Sequence, residues 1–201
     1  VLLICHSREK ALAIEKAVSR QVPVKTAVFH EGLTLVQRDR NAAWFAEEDG
    51  ARLLICSEIG SEGRNFQFAH HLVMFDLPLH PELLEQRIGR LDRIGQTQTI
   101  HLHVPFLEGS PQEVLARWYH EGLDAFEQNT QGGHALFQQF GDELLEIATA
   151  KKRTPDIEER FSKLIADTAE EQRRLVDQLA EGRDRLLELN SNRPEAAGAL
   201  V

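Results

Sequence analysis

The twelve residues Glu85-Gln86-Arg87-Ile88-Gly89-Arg90-Leu91-Asp92-Arg93-Ile94-Gly95-Gln96 hold the side chains best suited to chemistry. On a helix over Glu82–Leu91, with Gly95 placed to end it, Gln86, Arg90 and Arg93 stand at i, i+4 and i+7 and share one face. Leu84, Ile88 and Leu91 take the opposite face and fill the core. Two arginines projecting together offer planar, permanently charged forks of donors that match phosphate oxygens. The spacing also fits a solvated face on which Arg90 and Arg93 pair with Glu85 or Asp92, and such exposed pairs are weak. The stretch follows a strand and the turn Asp76–Pro81, at the edge of the sheet where α/β folds bind ligands, and this favours the phosphate reading.

A second stretch, Ser57-Glu58-Ile59-Gly60-Ser61-Glu62-Gly63-Arg64-Asn65, follows the apolar run Leu53–Cys56. Gly60 and Gly63, flanked by hydroxyls, let backbone N–H groups approach a phosphate, although a tight surface turn explains the same pattern. No G-x-x-x-x-G-K-[ST] phosphate loop occurs, so the chain is expected to hold half an active site. Asp142-Glu143 follows Gln138-Gln139-Phe140-Gly141 rather than an apolar strand and reads as helix surface. His101 and His103 alternate on one strand face without a converging Cys or carboxylate, so no metal site is expected. Lys151-Lys152-Arg153 reads as a solvated turn before Pro155. Cys5 and Cys56 close two apolar runs and read as small buried hydrophobes of a cytoplasmic protein.

Strand-like runs at Val1–Cys5, Val24–Phe29, Leu53–Cys56, Leu72–Leu77 and Ile100–Phe106 position these residues. They alternate with helical spacing at Ala11–Val18, Leu35–Phe45 and Glu82–Leu91. Thr34 and Gln37 form a capping box, and Pro81 suits a first helical turn. The pattern predicts an α/β fold, a parallel sheet with helices on both faces at 1–106, followed by an all-helical extension. Pro111–Gln128 and Ala135–Ala150 read as helices of a segment 107–150. Residues 151–201 read as a long charged helix, or a helical hairpin or spacer. Its seam runs through Phe161, Ile165, Thr168, Gln172, Leu175, Leu179, Gly182, Leu186 and Leu189. Packing against a neighbour within the chain would bury Leu175, Leu179 and Leu186 and leave Arg173, Arg174 and Asp184 exposed.

The 201 residues carry a net charge of −9, which argues against a surface that coats nucleic acid. Residues 1–100 hold 12 Lys and Arg against 13 Asp and Glu; residues 101–201 hold 11 against 19. Any cationic patch therefore belongs to the first half. No apolar run approaches a membrane span. The chain opens without an initiator Met on an apolar run, as expected of a piece truncated at both ends.

Gln86-Arg87-Ile88-Gly89-Arg90-x-x-Arg93-Ile94-Gly95-Gln96 resembles motif VI of superfamily-two helicases, in particular their Swi/Snf branch. Ser57–Asn65 resembles motif V of that branch, and Val1–Ser7 with Phe29–Phe45 looks like the opening strand and second βα unit of the same lobe. Gly60–Phe68, Asp76-Leu77-Pro78 and Trp118–Phe126 are similar to the bacterial RNA polymerase-associated members. The resemblance implies the second RecA-like lobe, motifs IV to VI, of an ATP-hydrolysing, DNA-stimulated translocase that remodels RNA polymerase complexes and so regulates transcription. By position, Arg90 and Arg93 would be arginine fingers and Gln86 a supporting contact to ATP. Glu58, Gly60 and Gly63 would be nucleotide-linked; Ser57, Arg64 and Asn65 would meet nucleic acid, DNA or RNA. ATP and Mg²⁺ would be held mostly by a first lobe elsewhere in the chain, leaving this piece inactive alone. A repair or restriction helicase of the same superfamily is one alternative, and a protein-interaction module docking through its helical half is another.

Overall fold

The computed structural model describes residues 1–58, 65–130 and 132–191, with side chains described as far as residue 182. Five strands, β1 (Leu2–Cys5), β2 (Thr26–Phe29), β3 (Leu53–Ser57), β4 (His71–Met74) and β5 (His101–His103), form one parallel sheet in the order β2-β3-β1-β4-β5. β1 is central and wholly buried, because helices cover both faces. Leu2 and Ile4 point into the larger core cluster, whereas Leu3 and Cys5 point to the other face, against Ala11 and Ile14 of helix α1 (Arg8–Gln21). Ile4 pairs with Cys56 in register, so the two cysteines lie on opposite faces. Both are buried free thiols, and burial pushes Cys5 up to about 11. Strand order reverses at β1, which lies between β3 and β4, so a ligand crevice is expected beyond its carboxyl end.

The helix starts follow local sequence. Ser7 accepts from the Lys10 N–H at the start of α1, and Thr34 and Gln37 make the reciprocal capping box of α2 (Leu35–Ala46). Pro81 opens α3 (Pro81–Ile88). The expected helix to Leu91 is three residues too long. Gly89 caps it, and beyond the cap the Arg90 carbonyl accepts from the Phe66 N–H at 2.8 Å. Gly95, at φ +103°, belongs to a later loop and does not end the helix.

The helix expected over Pro111–Gln128 is also interrupted. Helix α4 (Pro111–Arg117) passes into one π turn, Trp118–Gly122, and Asp124 at φ +51° ends it. The inserted residue rotates Trp118 and Tyr119 together into the core. Trp118 Nε1 donates to Thr168 Oγ1 at 3.1 Å, and the Tyr119 hydroxyl donates to Pro78 O at 2.9 Å. Helices α5 (Gly133–Thr149) and α6 (Pro155–Ser191) follow among the described residues, and one core cluster runs from Leu2 through Trp118 to Phe161.

The seam of α6 is packed over part of its length. Phe161, Leu164, Ile165 and Thr168 are buried, Leu175 is half-buried against Gly132, and every described side chain from Val176 to Gly182 is exposed. Arg173 and Arg174 are exposed as expected. Leu179, at 46% exposure, is not the buried residue that the heptad spacing predicts, because the helix has by then run past its neighbours. Leu186 and Asp184 lie outside the described side chains. Leu164→Ala is therefore expected to cost ~2–5 kcal/mol in urea unfolding, and Leu179→Ala within about 0.5 kcal/mol of nothing. Equal costs would place Leu179 in a packed interface.

Candidate functional site

Gln86, Arg90 and Arg93 line one cleft of about 360 Å³, together with Glu82, Glu85 and Asp92. They meet there by a route other than a common helix face: Gln86 lies on the last turn of α3, Arg90 in the turn beyond it and Arg93 in the following loop. Gln86 and Arg93 are exposed, whereas Arg90 is 8% exposed, so the two arginines differ in what they owe the fold. Leu84 and Leu91 are buried and Ile88 is half-buried behind them, as the apolar spacing predicts. Two of the three carboxylates are engaged elsewhere. Glu85 accepts from the Thr130 N–H at 2.7 Å, and Glu82 meets His134 at 2.8 Å. A larger cleft of about 770 Å³ adjoins through Glu85, Asp92 and Arg93 and extends to Gln96, Ile100 and Phe126.

Arg87, which the sequence does not distinguish from its neighbours, is 1% exposed. Its Nε donates to both Glu58 carboxylate oxygens at 3.0 and 3.1 Å, and its terminal nitrogens reach Glu58, the Asp76 carbonyl and, at 3.4 Å, the Asp76 carboxylate. Asp76 in turn accepts from Lys10 Nζ at 2.9 Å and the His6 N–H at 3.0 Å. This chain of charges ties α3 to the carboxyl ends of β1, β3 and β4, beside the strand-order reversal. Glu58, expected to be nucleotide-linked, turns its carboxylate to Arg87. The missed signal was a third arginine placed one residue after Gln86, on the buried side of the helix.

Ser57 is buried, and its hydroxyl donates to Glu31 at 2.6 Å, which holds the Glu31 carboxyl below its usual range. Asn65 is exposed and makes a local turn: its Oδ1 accepts from the Gln67 N–H at 3.0 Å, and its Nδ2 donates to Gln67 Oε1 at 3.1 Å. Gly60, Gly63 and Arg64 lie outside the described residues. His71 joins His101 and His103 on the sheet edge, with its Nδ1 3.1 Å from His103 Nε2. Among the described residues, no group of three or more His, Cys, Asp or Glu could hold a metal ion. No described helix is long and apolar enough to cross a membrane.

A parallel five-stranded sheet of this order, with helices on both faces, has the architecture of a RecA-like helicase C-terminal lobe. The helicase conserved C-terminal domain matches residues 1–95, and the RNA polymerase recycling family C-terminal region, RapA_C, matches residues 99–201. The chain belongs to the RNA polymerase recycling family. Among solved structures, it resembles the C-terminal part of the Fun30 ATPase domain at a TM-score of 0.54 and 21% identity, over 73% of this chain and 47% of that one. It likewise resembles the Sulfolobus solfataricus SWI2/SNF2 ATPase core, solved with dsDNA, at a TM-score of 0.52 and 18% identity, over 75% of this chain and 32% of that one. The chain thus spans less than half the length of either.

Proposed function

We propose that the chain is the second ATPase lobe of a nucleic-acid-stimulated, ATP-driven translocase that remodels or recycles RNA polymerase, acting in the cytoplasm on DNA or RNA and so regulating transcription. The observation that carries this reading is the convergence of Gln86, Arg90 and Arg93 on one cleft in a chain of the RNA polymerase recycling family. Two guanidinium groups and a carboxamide form a donor set that fits phosphoryl oxygens, and the carboxylates of Glu82 and Glu85 are already met by His134 and the Thr130 N–H. A bound ATP would supply the phosphoanhydride whose cleavage by water drives the motor. Arg90 and Arg93 would offset negative charge that grows on the transferred phosphoryl oxygens, and Gln86 would orient a neighbouring oxygen or the water.

The division of labour follows from the residue types present. A phosphate loop and the carboxylates that bind Mg²⁺ would come from the first lobe, and lobe closure would bring the arginines to the phosphates. The lobe at 1–106, the helices at 107–150 and the spacer at 151–201 would be the motor half, its brace and an arm.

The isolated 201 residues are therefore expected to fold, to show no Mg²⁺-dependent ATP turnover and to bind DNA weakly. The full-length protein should hydrolyse ATP faster with DNA present. Turnover by the purified 201-residue piece above an Arg90→Ala, Arg93→Ala control would sink the half-site reading, and a full-length protein indifferent to DNA would sink the translocase.

A further inference from the structure

The loop that carries Arg93 is fastened at its far end by one side chain. Gln96 Nε2 donates to the carbonyls of Gln67 and Ala69, both at 3.0 Å, with a longer approach of 3.4 Å to Leu91 O. Its Oε1 accepts from the Gln98 N–H at 3.0 Å. The Gln96 N–H closes a turn onto Arg93 O at 2.9 Å, and Gly95 at φ +103° permits the reversal beside the Gln67 side chain. A carboxamide has two N–H donors, and here both are committed to backbone. The loop has no apolar anchor of its own, since Ile94 at its tip is fully exposed at 102%.

The carbonyls that Gln96 grips belong to Asn65–Ala69, the segment that continues directly from the stretch expected to meet nucleic acid. That segment is seated by Phe66, which is buried edge-on against Phe29 and Phe45 at 6.2 and 6.1 Å. The Phe66 N–H holds Arg90 O at 2.8 Å. Both ends of the arginine stretch are therefore pinned to the same five residues, one end by the Arg90 backbone and the other by the Gln96 side chain.

We infer that Gln96 is a positioning residue that couples the segment Asn65–Ala69 to the placement of Arg93, so that nucleic acid engaging one sets the reach of the other. The inference rests on the translocase reading above. An arginine acting on a transferred group tolerates little error, since a misplacement of about 1 Å costs on the order of 100-fold in rate. A hydrogen-bonded clamp between two otherwise separate loops transmits such displacements directly.

The test uses the full-length protein and the variants Gln96→Met and Gln96→Glu, with ATP turnover measured with and without duplex DNA, alongside DNA affinity and melting temperature. Gln96→Met keeps length and loses both donors and acceptor. Gln96→Glu keeps an acceptor for Gln98 and loses the donors, so it should behave like the Met variant. We expect DNA-stimulated turnover to fall roughly tenfold or more while basal turnover changes less and DNA affinity holds. Wild-type stimulation in Gln96→Met overturns the coupling role, as does a loss of both turnovers in proportion with a lowered melting temperature. Amide hydrogen exchange in the wild type gives a readout that needs no variant: DNA should slow Phe66 and Gln98 together, and a Gln98 amide indifferent to DNA overturns the inference. A wild type whose turnover ignores DNA is a failure of the translocase reading itself.

Discussion

Arg93→Ala in the full-length protein is expected to lower ATP turnover by about 10³–10⁵-fold, the range an arginine finger supplies in phosphoryl transfer. Its melting temperature should stay close to that of the wild type. Arg93 is exposed in a loop on the cleft, so its removal exposes no core and strands no buried charge. Arg93→Lys should recover little, because an ammonium loses the planar fork that addresses two oxygens at once. ATP affinity should fall less than turnover if the first lobe holds most of the nucleotide. Arg90→Ala makes the informative contrast. Arg90 is 8% exposed, so its loss should depress turnover and stability together, unlike that of the exposed Arg93. The measurement is basal and DNA-stimulated turnover beside thermal melts for the three variants. Near-wild-type turnover in both alanine variants would end the assignment of these residues to the transferred phosphoryl group.

The parts of the fold that local physics determines were legible in the sequence. Strand runs, the Thr34–Gln37 box and the Pro81 start follow from burial on both faces of a parallel sheet and from backbone groups that need caps, and all appear in the structure. Where long-range contacts decide, spacing misled. Helix α3 stops at Ile88, and the turn beyond it is held by Phe66, distant in sequence, whose N–H meets the Arg90 carbonyl. Trp118 and Tyr119 turn inward through a π turn because Thr168 and Pro78 wait with acceptors. Leu179 keeps heptad register after its helix has left its partners. The candidate site shows the same split. Gln86, Arg90 and Arg93 were identified by type and spacing, and they do share a cleft, although the face argument for it fails. Gln96 and Arg87 escaped notice because their partners, the carbonyls of Gln67 and Ala69 and the carboxylates of Glu58 and Asp76, lie 11 to 29 residues away.

Arg87→Met should be the most destabilising single change at the site, by about 3–5 kcal/mol, the cost of breaking a buried ion pair from one side. The guanidinium side chain is 2% exposed and its two carboxylate partners 22% and 13%. Removing it takes the Arg87 guanidinium away from both Glu58 and Asp76, and Asp76 keeps Lys10 at 2.9 Å. Glu58→Gln in the Arg87→Met background removes one of the two carboxylates that faced the guanidinium and should recover part of the lost stability, although Glu58→Gln alone is destabilising. Urea unfolding of the wild type, both single variants and the double variant forms a double-mutant cycle whose coupling energy reports the pair directly. Because the network seats the helix that ends at the arginine cleft, a destabilised Arg87→Met protein kept folded at low temperature should turn over ATP more slowly, and the double variant should recover rate along with stability. An Arg87→Met protein that unfolds within about 1 kcal/mol of the wild type would show that the buried network contributes no more than an exposed ion pair does.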